Sequence, residues 1–289
     1  MASGQVPRAS DNLFPPALRL SRKVGRGGEF VEISDARLEY YCRQPLIRHH
    51  HEPIILLHPW FGCWQFWRQT VDTLPEFETY AIDLYSLGAG ENWQQFASPQ
   101  GLALAIGAMI ESFGINRCSV IGNSMGGIAA QALAAAEPDR IKKLILVGTG
   151  ARTVGVKPDF RRAVDHWIAG HGNRQFTERL VNSLIARRPA DPREFETFVD
   201  TVVQANKSFM GSVLTSAFNL DLRPSLPKIT APTLIIRGKL DAARTHAHVA
   251  ELLVGIPNSN AAEIPGGGHS PQVDSSRAFS ELVRNFLLA

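Results

Sequence analysis

The sequence predicts an α/β protein whose mostly parallel sheet is covered by helices on both faces. Between residues 54 and 147, short continuous apolar runs alternate with segments of helical spacing, which is typical of parallel strands joined by helices. From about residue 151 to residue 228, several helical segments follow one another without a strand, and the alternation then resumes. We therefore expect one α/β core, formed by residues 29–150 and 229–289, with a helical cap inserted at residues 151–228.

Length and composition agree with one domain that carries an insertion. At 289 residues and 44% hydrophobic content, the chain can bury a full core, yet it is short for two separate domains. The net charge of +3 comes without long Lys/Arg runs interleaved with aromatic residues, so we expect no nucleic-acid partner. The three cysteines, Cys42, Cys63 and Cys118, are too scattered for a disulfide framework or a metal site, which favours a reducing, cytoplasmic setting.

The first 28 residues are basic and lack the apolar centre of a secretory signal. We expect this segment, residues 1–28, to be a tail on the domain surface, an organelle transit segment being the alternative. No apolar run in the chain reaches the roughly 18 to 20 residues that span a bilayer, so we expect no membrane association. A homodimer is compatible with the sequence, which carries no signal for the oligomeric state.

A hairpin and a histidine cluster are expected before the first parallel strand. Residues 29–33 and 38–42 are rich in apolar and β-branched side chains around a short polar turn, which predicts an antiparallel hairpin at the edge of the sheet. His49, His50 and His51 follow the hairpin. Neighbouring side chains on an extended loop point in different directions and cannot chelate one ion well, so we expect a solvated loop there.

The alternating part of the chain can be assigned element by element. We expect parallel strands at residues 54–57, 79–84, 119–121, 143–147, 233–237 and 262–264. Helical spacing predicts core helices at 64–74, 100–113, 128–136, 247–254 and 278–288, and cap helices at 160–169, 175–187, 192–206 and 207–218. In sheets of this kind, ligands bind at the carboxyl ends of the strands.

A sharp turn, Gly122-Asn123-Ser124-Met125-Gly126, joins the third parallel strand to its helix. A serine at the apex of such a turn adopts a strained backbone, and glycines two positions before and after it let the strand and the helix pass closely. The turn lifts the Ser124 hydroxyl clear of the sheet and directs the Met125 amide towards the same space. We interpret the motif as a nucleophile with one half of an oxyanion hole, a glycine-rich packing turn being the alternative.

Five motifs in this order resemble the α/β-hydrolase fold family, and the resemblance covers the chain from about residue 29 to the C-terminus. They are His-Pro-Trp at 58–60, the Asp-Leu-x-x-x-Gly-Ala-Gly loop at 83–90, the serine turn, Gly238-x-x-Asp241 after a strand, and Gly268-His269-Ser270-Pro271. The resemblance implies a serine hydrolase with this fold, an inserted helical cap and the chain order serine, acid, histidine. The family's haloalkane dehalogenases and epoxide hydrolases have aspartate at the turn, so Ser124 argues against those reactions.

A serine hydroxyl needs a base in contact with it, and the base needs an acid that orients it. His269, which follows three glycines, is the candidate base, and Asp241 is the candidate acid. In some members the acid follows the strand after the serine helix, but here that strand ends in Gly148-Thr149-Gly150, which offers no carboxylate. We expect the reaction to need neither a metal ion nor an organic cofactor.

The resemblance also implies an oxyanion hole formed by the Met125 amide and the loop at 58–62. The family usually has His-Gly where this chain has His58-Pro59. Because proline carries no N–H, the backbone of Trp60 is the expected second donor. We expect His58 to tie the loop by hydrogen bonds rather than to take part in the chemistry.

Substrate choice would depend on the cap and on the oxyanion loop. Aromatic residues there are candidates either for an apolar pocket or for the core. They are Phe61, Trp64, Trp167, Phe209 and Phe218. We expect a small to medium hydrophobic acyl or leaving group. We identify no dedicated anion site, and we expect Arg244 and Arg152 to be solvated at the surface, contact with a substrate carboxylate being the alternative.

Three functions are compatible with these motifs. The first is hydrolysis of a carboxylic ester or lactone. The second is carbon–carbon bond hydrolysis of meta-cleavage-type diketones, whose enzymes are similar around the serine turn. Those enzymes usually have a glycine-rich loop in place of residues 58–62 and a tryptophan in place of Ser270, and both differences count against this function. The third is a ligand-sensing protein of the same fold that has no turnover.

Overall fold

The computed structural model describes residues 20–25, 28–33, 36–46, 51–153 and 158–289. Its strands are β1 (Leu20–Gly25), β2 (Gly28–Ile33), β3 (Ala36–Arg43), β4 (Ile54–Leu57), β5 (Thr79–Asp83), β6 (Cys118–Asn123), β7 (Ile141–Val147), β8 (Thr233–Gly238) and β9 (Ser259–Ile264). They form one sheet in the order β1-β2-β3-β5-β4-β6-β7-β8-β9. Strands β4 to β9 run parallel, while β1, β2 and β3 pair antiparallel at one end, where β2 and β3 form the predicted hairpin.

Ten α-helices lie in the described part of the chain. They are α1 (Arg68–Asp72), α2 (Pro99–Ser112), α3 (Met125–Ala136), α4 (Pro158–His166), α5 (Arg174–Asn182), α6 (Pro192–Gln204), α7 (Lys207–Phe218), α8 (His246–Gly255), α9 (Pro271–Asp274) and α10 (Ser276–Leu288). Shorter 3-10 segments lie at Trp64–Trp67, Leu84–Ala89, Trp93–Phe96, Pro138–Arg140 and Arg223–Lys228, and a π turn lies at Trp167–His171. None of the helices described here combines the length and the apolar character needed to cross a bilayer.

The sheet begins earlier in the chain than predicted. Strand β1 lies in the segment that was expected to be a basic tail, and it pairs with β2 from Leu20 opposite Ile33 onwards. Two of its six residues are positively charged, which obscures the strand in the sequence but suits an edge strand, because charge discourages pairing with another chain. Residues 1–19 of that predicted tail and residues 47–50 of the predicted histidine loop lie outside the described residues.

The parallel strands are buried on both faces, which explains their continuous apolar runs. In β4, Ile55 and Leu57 point into the larger hydrophobic cluster, together with residues of α2 and α3. Ile54 and Leu56 point into the smaller cluster on the opposite face, together with residues of α1 and α10. Successive side chains of a strand alternate between faces, so a strand covered on both sides needs apolar residues at every position.

Helices α4 to α7 follow one another between β7 and β8; we refer to described residues 158–228 as the insertion. The predicted helix at 175–187 ends earlier, at Asn182. The amide of Ala186 donates to Asp274 Oδ2 at 2.7 Å, and this tertiary hydrogen bond holds the segment after α5 outside the helix. The insertion packs on the core through Phe66 and Phe198, whose ring centroids are 4.4 Å apart.

Candidate active site

Ser124 lies between β6 and α3 with a strained backbone, φ +53° and ψ −111°. Among the described residues, it shares a positive φ with one other non-glycine residue, Phe61. A Cβ at Gly122 would lie 2.4 Å from the Gly126 carbonyl oxygen, and a Cβ at Gly126 would lie 2.3 Å from that of Leu57. Such distances cannot accommodate a side chain, so both glycines are required for the close approach that presents Ser124.

Asn123, directly before Ser124, holds the loop that carries His269. It is fully buried, and its Nδ2 donates to the His269 carbonyl at 3.0 Å. Its Oδ1 accepts hydrogen bonds from Ser270 Oγ at 2.7 Å and from Gln272 Nε2 at 2.8 Å. The residue next to the candidate nucleophile therefore positions the candidate base. No role was predicted for Asn123, although a polar side chain at the end of a buried strand is a signal of such a positioning residue.

Asp241 and His269 are in direct contact. His269 Nδ1 and Asp241 Oδ2 are 2.9 Å apart, and the two side chains are 8% and 0% exposed. The other carboxylate oxygen, Oδ1, accepts the backbone amides of Ala243 at 2.8 Å and Arg244 at 3.0 Å. Because an ionised carboxylate only accepts hydrogen bonds, Nδ1 carries the proton of the neutral imidazole and Nε2 is left as the basic nitrogen.

The charge state of Asp241 depends on opposing effects. Burial raises the pKa of its carboxyl group, but the hydrogen bond and the charge of His269, together with the amides of Arg244 and Ala243, outweigh burial and bring the pKa below its usual value. The carboxylate is therefore ionised at neutral pH. An ionised Asp241 can both orient His269 and stabilise its protonated form.

The elements that carry the three candidate residues meet at Gly148, which follows β7 with φ +50°. A Cβ at this position would lie 2.6 Å from the His269 carbonyl oxygen, and 3.2 Å from both Asn123 Nδ2 and Asp241 Oδ2. The next residue, Thr149, donates from its hydroxyl to the carbonyl of Ser124 at 2.8 Å. This segment therefore braces the site even though it contributes no carboxylate.

The loop at 58–62 is held by His58, as the sequence analysis expected. His58 Nε2 accepts the amide of Leu84 at 3.0 Å, so Nδ1 carries the proton and donates to the Pro59 carbonyl at 2.9 Å. The amide of Gly62 closes a turn by donating to the same Pro59 carbonyl at 2.9 Å, with Phe61 at φ +61° as the third residue of the turn. Left-handed backbone in a bulky residue is strained, and such strain is common at functional sites.

The two predicted oxyanion donors come from this loop and from helix α3. Met125 is the first residue of α3, where an amide has no acceptor within its own helix and the helix dipole favours a negative charge. Trp60 is buried in the loop, and its ring packs against Tyr85 with centroids 5.4 Å apart. The role of both amides as oxyanion donors stays a prediction.

The structure brings two of the predicted pocket aromatics together. Phe61 and Trp167 are in perpendicular contact, with centroids 5.5 Å apart, so the oxyanion loop touches the insertion. Trp167 is fully buried, and its Nε1 donates to Thr177 Oγ1 at 2.9 Å. Both side chains are buried in this contact, and their role in substrate binding stays a prediction.

The other predicted pocket aromatics lie in separate surroundings. Phe209 is fully buried and packs closely on Gly88, where a Cβ would lie 2.8 Å from its own Cβ. Phe218 packs under the guanidinium of Arg161. Trp64 stacks on Tyr41 and packs against the smaller hydrophobic cluster. Each of these three side chains packs against other residues of the protein, and their role in substrate binding stays a prediction.

Asp274 links the insertion to the loop that carries His269. Its buried carboxylate accepts the amide of Gly268 at 3.0 Å and that of Ala186 at 2.7 Å. Arg187 donates to the Asp274 carbonyl at 2.9 Å. Burial raises the pKa of Asp274, and the two amides and Arg187 oppose that effect. No role was predicted for Asp274, because nothing in the neighbouring sequence marks its contact with the insertion.

Replacing Asp274 with alanine is expected to weaken both the fold and the site. The variant should lose about 1–3 kcal/mol of unfolding free energy for each buried amide left without an acceptor. It should also lower kcat about 10-fold to 100-fold, because the His269 loop loses an anchor. Urea unfolding and steady-state kinetics measure the two effects. The exposed Asp139→Ala is the control, and equal results for the two variants would contradict the linking role.

Comparison with known proteins identifies relatives along nearly the whole chain. Residues 54–282 match the model of the alpha/beta hydrolase family. A 2-hydroxy-6-oxononadienedioate/2-hydroxy-6-oxononatrienedioate hydrolase from Cupriavidus pinatubonensis is 25% identical over 284 residues, which cover 89% of this chain and 94% of the relative. A pimeloyl-[acyl-carrier protein] methyl ester esterase from Yersinia enterocolitica is 25% identical over 244 residues, covering 81% and 92%. The enol-lactonase from Burkholderia xenovorans LB400 has a TM-score of 0.78 and 25% identity, covering 90% of this chain and 100% of that structure.

Proposed function

The chain belongs to the alpha/beta hydrolase family and is a hydrolase, and on this premise we propose that it cleaves a small to medium hydrophobic carboxylic ester or lactone through an acyl-enzyme on Ser124. One observation carries the proposal: the strained serine turn is hydrogen-bonded, through Asn123, to the loop of a histidine whose Nδ1 contacts a buried carboxylate. Nucleophile, base and orienting acid are the parts that acyl transfer to serine requires.

In the proposed reaction, His269 Nε2 takes the hydroxyl proton as Ser124 Oγ attacks the carbonyl carbon. The tetrahedral intermediate collapses, the bond to the leaving oxygen breaks, and the imidazolium gives its proton to the departing alcohol. Water then attacks the acyl-enzyme and loses a proton to His269. The second tetrahedral intermediate collapses, the bond from the acyl carbon to Ser124 Oγ breaks, the imidazolium returns its proton to that oxygen, and the acid product leaves. Asp241 stays ionised throughout and stabilises the imidazolium that forms in each half of the reaction.

The negative oxygen of each tetrahedral intermediate would be held by the amides of Met125 and Trp60. A preorganised donor of this kind commonly contributes about 100-fold to 1,000-fold in rate. The strained turn at Phe61 supports the assignment, because it fixes the backbone direction of the residue before it. We assign the insertion the role of a cap over this site, with Phe61 and Trp167 at the contact between them.

The proposal includes a reducing, cytoplasmic setting. Cys63 and Cys118 are buried, and burial raises the pKa of both thiols, that of Cys118 to about 12. Protonated buried thiols react slowly in disulfide exchange and do not bind metals readily. Both cysteines therefore act as small core residues.

Intact-mass analysis after treatment with a fluorophosphonate tests the proposed nucleophile. We expect one label on the wild-type protein, none on Ser124→Ala and little on His269→Ala, because only an activated serine reacts rapidly with the probe. Ser212→Ala, which removes an exposed serine of the insertion, is the matched control and should label like the wild type. A folded wild-type protein that stays unlabelled, or that labels equally in Ser124→Ala, would contradict the mechanism and favour a ligand-sensing role.

Hydrolysis of a carbon–carbon bond in a meta-cleavage-type diketone is the second candidate function. It is favoured by the similarity to the Cupriavidus hydrolase over 94% of that protein. The loop at 58–62, which contains Pro59 and Phe61, and Ser270 after the histidine differ from what is usual in enzymes of this activity. Parallel assays with p-nitrophenyl esters, lactones and a 2-hydroxy-6-oxo dienoate decide between the functions by the highest kcat/KM.

A further inference from the structure

Two buried hydrogen-bond donors beside Asp241 have no acceptor. They are Nε of Arg244 and Nε2 of His248, and within the described residues neither atom has a hydrogen-bond partner. Both residues follow the candidate acid, on the loop between β8 and α8 and in the first turn of that helix. A buried donor without an acceptor costs free energy, so two of them next to a candidate active site call for an explanation.

The backbone of Arg244 is fixed beside the candidate acid. Its amide donates to Asp241 Oδ1 at 3.0 Å, and its carbonyl accepts Arg237 Nε at 2.8 Å. Two neighbouring arginines have carboxylate partners: the guanidinium of Arg237 pairs with Glu263 at 2.6 Å, and that of Arg152 pairs with Glu251 at 2.9 Å. No such ion pair is made by Arg244 within the part of the chain that the structure describes.

The positive charge of Arg244 is therefore poorly compensated. Burial lowers the pKa of its guanidinium, and Asp241 is the carboxylate that opposes this effect. Asp241 already accepts the two backbone amides and contacts His269. A negatively charged ligand would supply the missing counter-charge, which a neutral acceptor such as a carbonyl would not.

His248 presents its second nitrogen as a donor. The amide of Thr245 donates to Nδ1 at 3.1 Å, and a backbone amide can only donate, so the neutral ring carries its proton on Nε2. Burial and then the charge of Arg244 lower the pKa of His248; Arg152 acts in the same direction, and Glu251 and Asp241 act against it. The ring is neutral at pH 7, with an unpartnered Nε2–H.

Contacts with the segment that follows β7 place His248 on the same edge of the sheet as Ser124, and Arg244 lies on the loop that follows the next strand, β8. The His248 ring lies against Gly150. A Cβ added at this glycine would lie 3.0 Å from His248 Cδ2, the carbon bonded to Nε2. The preceding residue, Thr149, donates its hydroxyl to the carbonyl of Ser124 at 2.8 Å. The donors and the serine thus share the carboxyl ends of neighbouring parallel strands, which is where ligands bind in such sheets.

We propose that Arg244 and His248 form a carboxylate-binding subsite of the candidate active site, which holds a carboxylate carried by the substrate. A carboxylate has two acceptor oxygens and a full negative charge, and it matches the planar fork of a guanidinium. This names the substrate class as an ester or lactone of a dicarboxylic acid. That this substrate is hydrolysed rests on the proposed function, whereas the binding of a carboxylate by Arg244 and His248 does not.

The first test compares two esters that differ only in charge, mono-p-nitrophenyl glutarate and p-nitrophenyl pentanoate. We expect the wild type to prefer the glutarate, and Arg244→Met to lower kcat/KM for it by about 10-fold to 100-fold, since hydrogen bonds to charged groups are the strong ones. The rate with the pentanoate should fall less than that with the glutarate, so that the ratio of the two kcat/KM values falls about 10-fold or more. His248→Asn, which keeps an acceptor for the Thr245 amide but removes the Nε2 donor, should lower kcat/KM for the glutarate by about 10-fold.

Arg223→Met is the matched charge control. The Arg223 guanidinium already has counter-charges, because it pairs with Asp221 at 2.6 Å and lies 4.0 Å from Glu251. Glu251, like His248, lies on α8. The ratio of the two kcat/KM values should stay at the wild-type level in this variant. An equal fall in the ratio for Arg223→Met would show that net charge alone sets the preference, and it would overturn the subsite.

The second test measures binding without turnover. Calorimetry with monomethyl glutarate should show binding to Ser124→Ala and at least 10-fold weaker binding to Ser124→Ala with Arg244→Met. This result would support the subsite even if the fluorophosphonate experiment ruled out the serine mechanism. A third outcome is that acetate binds the wild type but not Arg244→Met, while the wild type hydrolyses the two esters at equal rates. This would support a carboxylate site at Arg244, but it would show that the site binds a free carboxylate and not one carried by the substrate. Equal ester rates and no binding difference between the variants would overturn the proposal.

Discussion

The Asp241→Asn variant is expected to hydrolyse esters about 10,000-fold more slowly than the wild type. The amide keeps one oxygen, which can still accept the backbone amides of Ala243 and Arg244. Its nitrogen then faces His269 Nδ1, which lies 2.9 Å from the replaced oxygen and must become an acceptor. The ring proton moves to Nε2, and this tautomer cannot take a proton from Ser124.

Burst and steady-state kinetics with p-nitrophenyl acetate at pH 7 to 9 measure this loss, with circular dichroism as a check of folding. Asp139→Asn, which changes an exposed carboxylate to an amide, serves as the matched control. A loss below 10-fold for Asp241→Asn would mean that another group orients His269, and the assignment of the acid would be wrong.

The same variant links stability to pH. The pKa of Asp241 is lowered in the folded protein, despite burial, by His269 and the loop amides. A lowered carboxyl pKa contributes stability that is present above the unfolded value, about 3.9, and is lost as the pH falls through the folded value. The difference in unfolding free energy between the wild type and Asp241→Asn should therefore be larger at pH 6 than at pH 3. A constant difference would show that Asp241 does not titrate in this window.

Local sequence patterns were sufficient for much of the fold. Residues 54–57 were predicted as a strand, and β4 has these bounds, because a strand buried on both faces is apolar at every position. Strand β1 was missed, since charged side chains on an edge strand give no such pattern. The end of α5 was misplaced because the hydrogen bond that competes with the helix joins Ala186 to Asp274, residues 88 apart in the chain.

The same difference between local patterns and distant contacts applies to the candidate site. Ser124, Asp241 and His269 could be proposed from motifs in which glycines or strand ends mark each residue. The contacts that position them join residues far apart, such as Asn123 and Ser270 at a separation of 147. No periodicity reports a contact of this kind, because it depends on how the strands are ordered in the sheet.

Residue type alone is equally uninformative for the pocket. An aromatic side chain can serve packing or binding, and its type does not reveal its neighbours. In the structure, Phe61 contacts Trp167 of the insertion, whereas Trp64 stacks on Tyr41. Arg244 shows the opposite case. From the sequence we expected its guanidinium to be solvated at the surface, whereas the buried Nε without an acceptor favours contact with a carboxylate.

Replacing Gly148 with alanine is expected to damage both the fold and the site with a single methyl group. The added Cβ would lie 2.6 Å from the His269 carbonyl oxygen, a backbone atom that cannot rotate away. It would also lie 3.2 Å from Asn123 Nδ2 and Asp241 Oδ2, so any relief must move the candidate base, its acid or the residue before Ser124. The backbone φ of +50° adds about 1–2 kcal/mol of strain for a residue with a Cβ.

We expect Gly148→Ala to lower the unfolding free energy by about 3 kcal/mol or more, the range of overpacking plus backbone strain, and to lower kcat by about 100-fold. Gly114→Ala separates the two causes. Gly114 has φ +67° and no heavy atom within 4 Å of its Cβ position, so its alanine variant carries the backbone strain without the clash. Urea unfolding and p-nitrophenyl ester kinetics on both variants measure the difference. If Gly148→Ala loses no more stability and activity than Gly114→Ala, the meeting of the three elements at this glycine does not constrain the site.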